Sequence, residues 1–295
     1  MNPDVAFAVW SGERAQRVVA VLDRLLPPAI ELPQLLHEAM RYSVLGGGKR
    51  VRALLAYAAG ELAGADPGVV DGPAAAVELI HAYSLIHDDL PCMDDDVLRR
   101  GKPSCHVAYG EAMALLAGDA LQSLAYETVA RTPLRDAPAQ VALLALAAGS
   151  RGMAGGQALD LVHVGKALDL PGLEGMHRLK TGALIRAAVR LGARCGRPMS
   201  AADDDALDRY ASAIGLAFQA VDDVLDVEGT AQSLGKTAGK DAAQRKPTYV
   251  SLLGTSAAKA RIATLSSEAR AALSGFGPSA RRLAEIVDWI VSRTH

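Results

Sequence analysis

The sequence predicts an all-α protein in one domain, and three observations carry that reading. Aromatic residues are only 4% of the 295 residues while alanine abounds, and runs of alternating β-branched residues bounded by turns are almost absent. Proline and glycine fall at intervals long enough for helices of ordinary or greater length. No low-complexity linker divides the chain, so residues 1–295 read as a single helical domain, and 50% hydrophobic content is ample for its core.

In chain order the breaks fall at Pro27-Pro28, Gly46-Gly47-Gly48, Pro67-Gly68, Gly72-Pro73, Pro133, Gly155-Gly156, Pro171-Gly172, Pro198 and Gly275 to Pro278. The intervals accommodate about ten helices. Capping residues mark several starts: Asp4, Asp136, Ser200 before Ala201, and Ser279 before the last helix. The stretch from Gly229 to Thr248, rich in Gly, Lys, Thr and Gln, reads as a mobile loop.

With 31 basic and 33 acidic residues the formal net charge is −2. No global field recruits nucleic acid or an anionic membrane surface, so anion binding must be local. Cys92, Cys105 and Cys195 are odd in number and lack CxxC spacing, which disfavours a disulfide framework or a zinc site and fits a reducing cytoplasm. The start Met1-Asn2-Pro3-Asp4 has no basic stretch followed by an apolar one, so no secretory signal is expected. The longest purely apolar run, Val141 to Ala148, is well short of the roughly 20 residues of a membrane span, so a soluble protein without stable membrane insertion is expected.

Two acidic clusters carry the chemistry. Asp88, Asp89, Asp94, Asp95 and Asp96 follow the apolar stretch Leu79 to Ile86. On an unbroken helix Asp88 and Asp94 would lie about 120° apart. Pro91 removes a backbone donor and clashes with the preceding turn, so the chain must kink or loop out and can return Asp94 towards Asp88. In the second cluster, Asp222-Asp223-Val224-Leu225-Asp226, Asp222 and Asp226 share one helix face. A lone DDxxD string is most often a solvated helix face. Two, each embedded in apolar helix, fit magnesium better, since that ion takes a few carboxylates, keeps waters and completes its octahedron with substrate phosphate oxygens. The clusters would then face each other across one cavity.

The cations form the complementary half. Gly46-Gly47-Gly48-Lys49-Arg50-Val51-Arg52 puts three cations at a glycine loop entering a helix, where free N–H groups also attract anions. Arg99-Arg100-Gly101-Lys102 follows the first acidic cluster, and Lys180, Lys236, Lys240 and Lys246 surround the second. His81, seven residues before Asp88, lies on the same helix face.

Together these strings resemble the trans-prenyl diphosphate synthases, in particular the bacterial farnesyl diphosphate synthases. The likeness runs through His81 to Pro91, Arg99 to Pro103, Gly155 to Asp160, Leu179 to Gly182, the second aspartate cluster, Leu234 to Asp241 and Lys246 to Tyr249. It implies a bundle of antiparallel helices around a deep central cavity, usually a homodimer. It also implies that Asp88, Asp94 and Asp222 hold magnesium on an allylic diphosphate, with Asp89, Asp223 and Asp226 in support. Arg99, Lys180, Lys236 and Lys240 would contact that diphosphate. Lys49, Arg52, His81 and Arg100, assisted by Arg50, would form the isopentenyl diphosphate site, and Thr181 and Gln219 would sit near the reacting carbon. The implied reaction is ionisation of the allylic diphosphate, attack by the isopentenyl double bond and loss of a proton. Ala53 and Val250 stand where the family's strings normally carry proline, at positions without chemistry in this scheme.

A geranyl or geranylgeranyl diphosphate synthase is the nearest alternative. A class I terpene cyclase has no second diphosphate to bind, and Lys49, Arg52 and the intact second cluster argue against it. A non-catalytic partner subunit predicts losses among Asp88, Asp94, Arg99 or Lys180, and none is lost. Tyr83 and Ser84 lie roughly 6 to 8 Å along the helix from Asp88. Geometry alone does not choose between them as the chain-length stop. The resemblance favours Tyr83, since farnesyl-producing relatives commonly carry an aromatic residue near this point. Tyr83→Ala is therefore expected to shift product from C15 towards C20 or longer in an assay of chain length, with catalysis retained.

Overall fold

A computed structural model of the chain describes residues 3–228 and 246–293. Helices α1 (Pro3–Leu25), α2 (Gln34–Leu45), α3 (Val51–Leu62) and α4 (Pro67–Asp88) come first. A short hairpin of β1 (Leu98–Arg99) and β2 (Lys102–Pro103) leads to α5 (Cys105–Tyr109), α6 (Glu111–Arg131), α7 (Ala137–Ala148), α8 (Met153–Val162) and α9 (Leu170–His177). A π-helical turn (Arg178–Gly182) joins α9 to α10 (Ala183–Ala193), and α11 (Ala201–Glu228) follows. Beyond residue 245 lie α12 (Tyr249–Leu253), α13 (Thr255–Leu273), a 3-10 segment (Ser274–Ala280) and α14 (Arg281–Val291). The expected all-α architecture is present, with the two-residue strands as the only sheet among the described residues. Lys236, Lys240 and most of the expected mobile loop lie outside the described residues.

Helices α3 and α4 are buried on nearly every side, which is why their sequences are apolar almost all round. α4 packs against α3, α6 and α10, while α11 packs against α10, α13 and α14. α4 also has the length and hydropathy of a membrane span, a feature that the count of uninterrupted apolar residues does not register. Two thirds of its most apolar window, 67%, is buried inside the protein.

Some expected boundaries move. Gly72-Pro73 lies inside α4, whose start is instead set by Asp66 accepting from the Gly68 N–H at 2.6 Å and by Pro67 in the first turn. Burial of the following residues outweighs the one donor lost at Pro73, and Gly72 leaves room for the Thr132 side chain. Gly155-Gly156 lies inside α8 because the backbone of Lys180 crosses against Gly156. Asp136 and Ser200 cap as expected, accepting from Ala139 and Asp203 N–H. Ser279 does not: its hydroxyl donates back to the Phe276 carbonyl within the 3-10 segment.

The α3–α10 crossing depends on small residues, since a Cβ on Gly192 would collide with the backbone of Ala56. Backbone cannot step aside as a side chain can. Gly192→Ala should destabilise the fold by about 1–3 kcal/mol, read as a lower Tm. Gly12→Ala in α1, where a Cβ meets nothing within 4 Å, should be neutral or stabilising in the same melting experiment.

Candidate active site

The sequence pattern around Pro91 produces the return it predicts. α4 ends at Asp88, and the loop doubles back so that the Asp94 N–H donates to the Asp88 carbonyl at 2.9 Å. The Asp96 N–H likewise donates to the Asp89 carbonyl at 3.1 Å. The hairpin after this loop turns at Arg100 and Gly101, both with positive φ (55° and 73°), as a two-residue primed turn requires. That turn splits two neighbouring guanidinium groups. Arg99 pairs with Asp89 and lies 3.6 Å from Asp96, whereas Arg100 donates to the Gly47 carbonyl. Gly48, at φ 112°, could carry no Cβ without striking the Arg100 guanidinium.

Between α4, α8, the π turn and α11 lies a cavity of about 560 Å³. Arg52, His81, Tyr83, Ser84, Asp88, Arg99, Arg100, Lys180, Thr181, Gln219 and Asp222 all line it, so most of the expected site residues converge. Arg50 and Asp89 line a smaller adjoining space with His81, Arg99 and Arg100. Lys49 opens instead on a groove with Phe7, Leu54 and Trp289, although its charge is felt by Asp222 and Arg293. Asp223 and Asp226 are buried behind Asp222.

Asp94, Asp160, Asp222 and Asp223 each meet a cation or a donor. Lys246 Nζ stands 2.8 Å from Asp94 and 3.8 Å from Asp160, and Lys180 Nζ donates to Asp160 at 2.6 Å. Arg293 lies 3.0 Å from Asp222 and stacks over Phe218 at 4.2 Å. Asp223 accepts from Gln219 Nε2 at 2.9 Å and from the Tyr249 N–H at 2.8 Å. The Thr181 hydroxyl donates to Gln219 Oε1 at 2.9 Å, so the Gln219 amide is fixed at both ends. The π turn, a feature common at functional sites, presents Lys180 and Thr181 together.

Burial, reinforced by Asp94 and Asp89 and opposed by Lys180 and Arg99, pushes the Asp88 carboxyl up to about 6. Among the described residues no three His, Cys, Asp or Glu side chains form a ready cage. An all-oxygen donor set on two facing helices, with room for waters and phosphate oxygens, fits magnesium, which does not require such a cage. A divalent cation beside Asp88 would favour its charged form against both burial and the neighbouring Asp94 and Asp89. On the other side of the cavity, burial and the charges of Arg52, Arg100, Arg99 and Arg50 hold the His81 imidazole well below its ordinary pKa, hence neutral.

Three residues absent from the expected site belong to it. Asp160, only 4% exposed, holds Lys180 and comes within ion-pair range of Lys246. Gln157 lines the cavity beside Lys180 and Thr181 in its wall. Glu78, 2% exposed, is the buried anion of the cationic half: it pairs with Arg50 at 3.4 Å and accepts from the Ala53 N–H at 3.1 Å, capping the start of α3 from a distance. A solitary acid inside the apolar stretch Ala74 to Ile80 was the available signal for Glu78.

Residues 33–272 match the family described as polyprenyl synthetase. The chain is 49% identical to a probable farnesyl diphosphate synthase of Sinorhizobium fredii, over 95% of this chain and 86% of the relative. It is 49% identical to the farnesyl diphosphate synthase of Escherichia coli, over 87% and 88% of the two chains. A solved geranyltransferase from Helicobacter pylori, complexed with magnesium and isoprenyl diphosphate, superposes with a TM-score of 0.84 at 30% identity, covering 96% of this chain and 95% of that one. With members of both aspartate clusters and four cations on one cavity, these similarities establish that the chain belongs to the polyprenyl synthetase family.

Proposed function

We propose that the chain is a magnesium-dependent prenyltransferase that condenses isopentenyl diphosphate with dimethylallyl and then geranyl diphosphate, head to tail, to give farnesyl diphosphate. The observation that carries this is one cavity on which Asp88 and Asp222, one from each aspartate cluster, meet the cations Arg52, Arg99, Arg100 and Lys180, with Tyr83 in its wall. The relatives described above support the C15 product.

Asp88, Asp94 and Asp222 would hold magnesium, with Asp89, Asp223 and Asp226 behind them. Bound there, the ion supplies charge neutralisation for the leaving diphosphate. Arg99 and Lys180, joined in this reading by Lys236 and Lys240, take up charge on the same oxygens as the C1–O bond breaks and the diphosphate departs with the electron pair. Thr181 and Gln219, locked to each other, turn oxygen lone pairs towards the allylic cation. Arg50, Arg52, Arg100, Lys49 and neutral His81 orient isopentenyl diphosphate so that its double bond attacks that carbon. The released diphosphate then takes a proton from the new cation, and the electrons of that C–H bond restore the double bond. Apolar walls formed by Met93, Met153, Ala158 and Phe218 keep water from quenching the cation.

Exposed Leu115 and Leu116 on α6 and Leu146 on the adjoining α7 favour a second copy packed on these helices, hence a homodimer. Three free thiols fit a cytoplasmic setting.

Purified protein given isopentenyl diphosphate and each allylic primer should release C15 diphosphate with magnesium present and nothing after exhaustive chelation. Asp88→Ala and Asp222→Ala should each lower turnover by about 10²-fold or more while circular dichroism stays unchanged. Near wild-type turnover in either variant would make that cluster structural. Glu78→Gln should raise KM for isopentenyl diphosphate about tenfold, the scale of one charge-assisted hydrogen bond, and leave KM for geranyl diphosphate close to wild type. Equal loss for both substrates would remove Glu78 from the isopentenyl side.

A further inference from the structure

His87 and Gly118 form an interlock whose purpose the reaction scheme leaves unexplained. His87 lines the central cavity beside Tyr83, one helical turn earlier on α4. Side chains on a helix lean towards its N-terminus, so the imidazole descends along the tail side of the cavity. It meets the Tyr83 ring edge to face, with centroids 5.7 Å apart at 77°. The opposite side of the imidazole is docked into α6. Nε2 lies 3.0 Å from the Leu115 carbonyl and 4.0 Å from the Asp119 carboxylate. A Cβ on Gly118 would overlap three atoms of the ring, Nε2, Cδ2 and Cε1.

Gly118 sits in the middle of α6 with no positive φ, so the backbone does not call for glycine there. Glycine in a helix interior costs about 1 kcal/mol relative to alanine. What it provides is a notch for the histidine ring. We infer that the Gly118 notch holds the His87 ring out of the allylic channel, and that this pair sets the channel's width between the diphosphate site and the Tyr83 floor. Filling the notch would press the ring off α6 and towards the cavity it lines, at the level reached by the second isoprene unit of a C10 primer. The shorter C5 primer would end before the obstruction and be less affected. The inference rests on the proposed synthesis from C5 through C10 to C15.

The test is Gly118→Ala, which improves helix propensity and displaces a movable side chain instead of backbone, so the variant folds, as its melting temperature will report. The expected result is a KM for geranyl diphosphate raised about tenfold, the scale of one methylene in an apolar pocket, with KM for dimethylallyl diphosphate changed by less than about threefold and C10 accumulating at the expense of C15. In Gly118→Ala combined with His87→Ala the ring is gone, and the ratio of C15 to C10 should return towards wild type. An unchanged geranyl KM and product ratio in Gly118→Ala would overturn the inference. So would a double variant that keeps the C10 bias, since the effect would then not pass through the ring. Wild-type protein run in parallel separates the two readings: a main product other than C15 there defeats the product assignment, while the interlock is judged by the shift that Gly118→Ala causes relative to wild type.

Discussion

Charges cannot be crowded into an apolar helical bundle unless each is met by its opposite, because leaving one charge uncompensated in a buried site costs several kcal/mol. The architecture around the cavity is a solution to that constraint. The acidic half is threaded with lysines: Asp94, Lys246, Asp160 and Lys180 form an alternating chain across four separate segments. The basic half is threaded with one acid, as Glu78 stands among Arg50, Arg52 and Arg100. Helices α3, α4, α8 and α11 must therefore keep their relative positions for the charges to remain paired. Packing and electrostatics fix the same geometry.

The backbone carries part of this work. Arg50 begins α3 in a left-handed conformation, φ 53°, and Gly47 and Gly48 precede it at φ 103° and 112°. Such a run of positive φ is open to glycine at low cost and disfavoured for other residues. It delivers the Gly47 carbonyl to Arg100 and the Arg50 guanidinium to Glu78 and the Val44 carbonyl. The glycine string serves the cations at least as much as it serves any anion.

Much of this was legible in the sequence, and the reasons for what was not are local. The aspartate clusters could be read because i, i+4 spacing fixes one face for Asp222 and Asp226, and because Pro91 forces the loop that brings Asp94 back. The cationic strings declared themselves by density. Asp160 and Glu78 could not be read in this way: each is a single acid whose importance comes from partners 20 and 28 residues away, Lys180 and Arg50. Lys49 shows the converse, since a place in a charged string did not put its side chain on the central cavity. Gly72-Pro73 and Gly155-Gly156 misled as breaks because punctuation by residue type is blind to tertiary burial. In both places a neighbouring segment packs where the side chain is missing.

The short stretch from Lys246 to Tyr249 touches both aspartate clusters. Lys246 holds Asp94 in the loop that folds back onto the end of α4, and three residues later the Tyr249 N–H holds Asp223 on α11. Between them, Pro247 restricts the residue before it to extended conformations, and Thr248 is itself extended at φ −132°, ψ 163°. Three extended residues span at most about 10 Å. While these two contacts hold, the gap between the clusters is thus gauged by a stiff three-residue tether lengthened by the Lys246 side chain, as well as by the stacking of side chains.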